Sequence, residues 1–220
     1  MGSVTPVVSY IRQEFHRELD DIKGKVVVLF ALVREGVAAA TDALLASDRL
    51  RADELVLADE RLDSLDAEIE AIVERLLLTQ APMASEYHFL VTAMRIVPEL
   101  ERSGDLVEHI AQRVGRGIGS QLPPTLRGIV QQLGDQVGAL WQVAADAFER
   151  RDPSVHDELR TADRTVNALA RQLWTGTVAS DLPSETKMEL ALIARFYERL
   201  GDHACHITAR IRPVAGSAAR

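Results

Sequence analysis

One thirteen-residue stretch occurs twice in this chain. Glu101-Arg102-Ser103-Gly104-Asp105-Leu106-Val107-Glu108-His109-Ile110-Ala111-Gln112-Arg113 and Glu198-Arg199-Leu200-Gly201-Asp202-His203-Ala204-Cys205-His206-Ile207-Thr208-Ala209-Arg210 both read E-R-x-G-D-x-x-x-H-I-x-x-R, 97 residues apart. Seven in-register identities in thirteen positions point to an internal duplication, and a duplicated chain folds as two like units. Apolar positions spaced by three and four extend the match. Phe15, Leu19, Ile22, Val26, Leu29, Val33, Gly36, Ala40 and Ala43 form one stripe; Leu55, Ala58, Leu62, Leu65, Ile69, Ile72 and Leu76 a second; Leu90, Ala93, Val97, Leu100, Gly104, Val107, Ala111 and Val114 a third. The series restarts at Leu126, with the first two stripes repeated at an offset of 104 and the third at 97. This is helix periodicity throughout, and period-2 alternation never persists.

The reading is all-α: six helices forming two tandem three-helix bundles, with antiparallel neighbours roughly 20° apart. The first repeat is expected over 8–118, the second over 122–212, and a disordered tail over 213–220. Ser47-Asp48 reads as a break with an N-cap. Asp152-Pro153, 104 residues after Asp48, reads as a helix start with proline in its favoured place. Gly115, Gly117, Gly119 and Pro123-Pro124 mark the linker between repeats. Pro98 falls inside the third helix and is expected to kink it.

A net charge of −8 excludes a nucleic-acid binder, which needs a basic face. It also disfavours docking on anionic lipid. The longest apolar run, Val26 to Val33, is too short to cross a bilayer, and no secretory signal is seen, so no direct membrane insertion is expected. Cys205 is the single cysteine, which fits a reducing cytoplasm.

The chemistry-bearing residues are acidic. Glu101 and Asp105 stand one helical turn apart, with His109 next in the row; Glu198, Asp202 and His206 repeat this. On the second helix of each unit, Asp59 and Asp63 correspond to Asp163 and Asn167. Each acid follows a core position, so the acids flank the packed seam. Same-sign carboxylates repel, and a cluster needs cations, from Arg61, Arg95, Arg102 and Arg199 or from a metal. Carboxylates with imidazole suit Mg, Mn, Fe or Zn. The candidate metal residues are therefore Asp59, Asp63, Glu101, Asp105, His109, Asp163, Asn167, Glu198, Asp202 and His206. There is no Glu-x-x-His pair of the ferritin type, no phosphate loop, and no nucleophile with a base. The chain reads as a binding or regulatory protein, not an enzyme.

At these residues the chain resembles the PhoU family of bacterial phosphate-uptake regulators. Met94-Arg95-Ile96 with Glu101 to Asp105 looks like the family's first signature, and Ala194-Arg195-Phe196-Tyr197 with Glu198 to His203 like its second; Gln80-Ala81-Pro82 resembles its proline turn. The resemblance implies two symmetric three-helix bundles and acidic clusters that hold multinuclear iron or zinc in some members. It implies a cytoplasmic, often dimeric, negative regulator that couples a phosphate ABC transporter ATPase to a sensor histidine kinase. The chain departs from the family's pattern at Asn167 (usually aspartate), at His109 and His206 (usually asparagine), and at Glu86-Tyr87-His88. Other readings are a helical metal-binding or storage protein and an accessory protein of another phosphate transporter.

Overall fold

The structure is a computed structural model that describes residues 4–211, with side chains from residue 10 onward. The expected tail 213–220 lies outside the described residues, as does residue 212. Six long helices account for most of the chain: α1 (Val4–Ala46), α2 (Arg49–Thr79), α3 (Ala84–Val114), α5 (Pro124–Arg150), α6 (His156–Ala179) and α7 (Ser184–Arg210). One short helix, α4 (Ile118–Gln121), lies in the linker, and a 3-10 turn, Pro153–Val155, leads into α6. No strand occurs among the described residues.

The stop and start signals act where the sequence places them. The Asp48 side chain accepts the Arg51 amide at 3.2 Å and caps α2. Asp152 accepts the Ser154 amide at 2.9 Å and opens the 3-10 turn at Pro153. In the linker Gly117 turns with φ +68°, a left-handed conformation that glycine adopts without strain. Gly119 packs directly on the Leu44 carbonyl at the end of α1. Helix α3 continues through Pro98 without a break: the ring removes one backbone hydrogen bond, but packing on both sides holds the helix.

Within the first half α1, α2 and α3 pack on one another, and within the second α5, α6 and α7 do the same. The halves join along two further seams, α1 against α5 and α3 against α7. The buried apolar residues of both halves form one continuous cluster. Fully buried Trp141, Tyr197, Phe15 and Phe30 are its largest members. The Thr41 hydroxyl donates to the Val37 carbonyl at 2.7 Å, so its oxygen accepts the Tyr197 hydroxyl, also at 2.7 Å, and ties α1 to α7.

The expected stripes are buried with one rotation. On α2 Ala58 is exposed while Asp59 is half-buried, and Ala52, Leu62, Ile69, Val73 and Leu76 form the buried line. The strict 3–4 count assigned Ala58 to the core. The buried line runs instead through Leu62, Ile69, Val73 and Leu76, and one turn before Leu62 it brings Asp59, not Ala58, toward α3.

Candidate functional site

Helices α3 and α7 each have two working faces. One carries the glutamate and aspartate of the repeated motif and looks toward its own partner, α2 or α6. The other carries the motif's histidine and arginine and looks across the seam between the halves.

On the first face Gly104 lets α2 come close. A Cβ there would lie 2.6 Å from Leu62 Cδ1 and 2.9 Å from Asp59 Oδ1. In the second half a Cβ on Gly201 would run into Asp163 Oδ1. The glycines thus seat Asp59 and Asp163 against the helix that carries the other acids, and they place the two pairs in equivalent positions. Burial and the negative charges of Glu108, Asp105, Asp63 and Glu101 push the Asp59 carboxyl up to about 6. Glu101 is raised by burial and by Asp105, Asp66 and Asp63, with Arg102 opposing. Asp66 is raised by burial, Glu70 and Asp63. The first cluster is therefore an accumulation of carboxylates with little compensating charge.

The second cluster is better balanced. Asn167 donates to Asp163 Oδ2 at 2.7 Å, and Arg195 pairs with Glu198 at 2.6 Å. Burial and Asp202 raise the Asp163 carboxyl, while Asn167 and His206 oppose. Its Oδ1 atom is buried and makes no hydrogen bond.

His109 is not part of the acidic row. Its ring stacks on Phe196 of α7 with centroids 5.5 Å apart, and Glu108 takes its place beside Asp105 and Asp59. Helix geometry is the reason. Eight residues after Glu101 the side chain has turned about 80° off the face, whereas seven residues after it the offset is only about 20°. His206 straddles both faces: its charge reaches Asp163, while Nδ1 lies 3.9 Å from Glu99 Oε2 on α3.

The motif's histidine and arginine form a reciprocal clasp. Arg210 donates to Glu99 Oε1 at 2.8 Å, with His206 beside it. Arg113 lies over the Phe196 ring at 4.6 Å, with His109 stacked on the same ring. Glu99 and Phe196 are equivalent positions, 97 residues apart. Each half thus presents one residue to the histidine and arginine of the other. Buried His203 extends the Glu99 side. The Ser103 hydroxyl donates to the Glu99 carbonyl at 2.6 Å, so its oxygen accepts from His203 Nδ1 at 3.1 Å, which fixes that proton on Nδ1. On the Phe196 side, Glu189 of α7 pairs with Arg113 at 3.1 Å and with Arg116.

Metal fit divides along the same faces. Among the described residues no three or more His, Cys, Asp or Glu side chains gather closely enough to hold a metal ion. Asp59, Asp63, Glu101 and Asp105 are all oxygen donors of the kind hard cations take, and Asp163 Oδ1 is a buried oxygen without a hydrogen bond. His109 does not belong to either set, and Asn167 donates its side-chain NH2 to Asp163, which leaves its carbonyl oxygen unspent.

The sequence and the fold both match known proteins. The model of the PhoU domain matches residues 26–114 and 130–211. A Mycobacterium tuberculosis phosphate-specific transport system accessory protein, PhoU homolog 1, is 28% identical over 204 residues, covering 91% of this chain and 92% of that protein. The PhoU homolog of Pseudomonas aeruginosa is 28% identical over 202 residues, covering 90% of this chain and 84% of its own. The crystal structure of PhoU from P. aeruginosa superimposes with a TM-score of 0.82 at 25% identity, covering 90% of this chain and 96% of that one. PhoU from Streptococcus pneumoniae, described as a phosphate transport system regulatory protein, superimposes at 0.81 with 22% identity and shares the fold. With both repeats matched and the acidic signature on the equivalent helices of each, the chain belongs to the PhoU family.

Proposed function

We propose that this chain is a PhoU-type negative regulator of phosphate uptake and phosphate-starvation signalling, an adaptor between the ATPase of a phosphate ABC transporter and a sensor histidine kinase. The observation that carries the reading is the E-R-x-G-D signature, present on α3 and α7 with its glycine seating an acid of the neighbouring helix in both halves. The names of the relatives, accessory and regulatory proteins of phosphate transport, support it. In this reading the chain works in the cytoplasm, as a homodimer, and catalyses no reaction; no helix among the described residues is long and apolar enough to cross a membrane.

The acids have a second part in the reading. Asp59, Asp63, Glu101 and Asp105 would hold a cation in the first half, and Asp163, Glu198 and Asp202 in the second. A bound iron, zinc, magnesium or manganese ion supplies positive charge that offsets the repulsion between these carboxylates. Without reference to any partner, the same acids support the alternative of a metal-binding or storage protein, and the crowding of Asp59 with Glu108, Asp105 and Glu101 of the facing helix is the observation that favours it.

The two readings separate in one experiment. Purified protein is tested for binding to the transporter ATPase and to the cytoplasmic part of the sensor kinase from the same genome, and its metal content is measured in parallel. Binding to both supports the adaptor; stoichiometric metal with binding to neither would falsify it.

A further inference from the structure

The two halves carry different outer faces on equivalent helices. On α2 the line of exposed Asp63, half-buried Asp66 and exposed Glu70 and Glu74 is acidic. The residues 104 positions later on α6 are Asn167, Ala170, Trp174 and Val178. The register is secure, because Leu62 and Val166, Ile69 and Leu173, and Val73 and Thr177 are buried at equivalent positions. Trp174 is 57% exposed and Val178 63%, so neither serves the core, and the first half folds with glutamates in their places. Across from them on α7, Met188 and Leu192 are also exposed. Trp174, Met188 and Leu192, with Ala170 and Arg171, line a groove of about 540 Å³ between α6 and α7, and Val178 stands one turn beyond Trp174 on α6 without lining it.

We infer that this α6–α7 groove is the docking site for an amphipathic helix of a partner protein, with apolar anchors one turn apart and an acidic flank. Trp174 and Val178, and Met188 and Leu192, are each four residues apart. They present two turns of apolar surface, the spacing at which a helix laid in a groove offers its own anchors. The acidic flank follows from charge. Arg171 makes no ion pair among the described residues, and Lys187 spends its ammonium only on the Val178 carbonyl at 3.3 Å. A basic partner would be drawn instead to the carboxylates on the equivalent face of the first half. A second copy fits poorly: each copy would bring Arg171 and Arg195 against one Glu198 that Arg195 already holds. A lipid surface fits poorly too, because the chain carries a net charge of −8.

The inference deepens the adaptor reading by giving it a surface, and it rests on that reading only for the partner's identity. The probe is a labelled synthetic peptide of about 18 residues, with leucines spaced as helix anchors and flanking glutamates, beside a twin in which lysines replace the glutamates. The test variants are Trp174→Glu with Val178→Glu, which copies Glu70 and Glu74 of the first half and so preserves the fold, and Arg171→Glu. The parent should bind the acidic peptide, and the double variant should lose at least about tenfold in affinity with unchanged circular dichroism. Arg171→Glu should weaken the acidic peptide by about tenfold and strengthen its lysine twin. Equal binding by parent and variants, or no binding by the parent, overturns the inference. So does a change in sedimentation that makes the face a contact between copies, or loss of vesicle binding that makes it a lipid contact. The transporter ATPase and sensor kinase are then assayed in the same way. If the parent binds neither, the adaptor reading fails on its own account. If the double variant binds them as the parent does, the groove is not their site and the adaptor reading stands.

Discussion

Arg210 of α7 donates a hydrogen bond to Glu99 of α3 at 2.8 Å, and the equivalent Arg113 of α3 lies over Phe196, the residue that stands in the place of Glu99 on α7. Arg210 is held by a carboxylate at this position, whereas Arg113 lies over a ring here and takes its carboxylate from Glu189, one helical stretch earlier on α7. Glu99 is 7% exposed, so removing its side chain leaves Arg210 without its counter-charge at the seam. Glu99→Ala should cost about 2–3 kcal/mol and lower Tm by about 5–10 °C. Glu99→Phe should recover part of that loss, because Arg210 can then lie over the ring as Arg113 does over Phe196, while Thr92, in the place of Glu189, supplies no carboxylate. Thermal melts of the two variants decide the point; a Glu99→Phe protein as unstable as Glu99→Ala would mean that the clasp depends on charge alone.

The Asp59 carboxyl, raised to about 6, sets a pH dependence. The folded state holds this proton more tightly than the unfolded chain, so stability contributed here is present at low pH and is lost as pH rises from about 4 through 6. Asp59→Asn should therefore stabilise the protein at pH 7.5 by about 1 kcal/mol after solvent screening, with the gain shrinking to nothing as pH falls toward 4. Chemical denaturation of parent and variant at several pH values measures it.

Added divalent cation should replace that gain. Millimolar manganese or magnesium should raise the Tm of the parent by a few degrees and move Asp59→Asn much less. Changing both Glu101 and Asp105 to Ala should abolish cation binding in the first half while leaving helicity intact. Binding in the second half should be weaker, because Asn167 already occupies Asp163 Oδ2. Titration calorimetry on chelator-treated protein reads both.

Two glycines should respond in opposite directions. A Cβ on Gly119 would meet the Leu44 backbone carbonyl, which has no room to retreat, so Gly119→Ala should cost more than about 2 kcal/mol. Gly128 is exposed on α5 with no atom within 4 Å of its would-be Cβ. Gly128→Ala should stabilise by about 0.5–1 kcal/mol through helix propensity.

The helices were legible in the sequence because burial in this chain is periodic and its breaks are chemical: Asp48 and Asp152 cap, Gly117 turns, and the stripes of α1, α3, α5 and α7 are buried nearly as counted. The acids of α2 and α3 were legible as a pair for the same reason. Residue-level facing was less so. Counting by fours placed His109 in the acidic row, and the drift of a 3.6-residue helix put Glu108 there instead. The clasp of Glu99 and Phe196 was not legible at all, because it depends on α3 meeting α7, a contact between repeats that no pattern within either repeat encodes. Its one trace was the recurrence of histidine and arginine four residues apart at the end of both motif copies.

That clasp has a historical meaning. Two identical chains related by a twofold axis must offer the same residue at both ends of their shared seam, so a carboxylate on one side requires a carboxylate on the other. Joining the two copies into one polypeptide lifts that constraint. Glu99 could remain or arise while its mate became Phe196, and an acidic face on α2 could diverge from an apolar one on α6. A tandem repeat in one polypeptide can thus have a left and a right side.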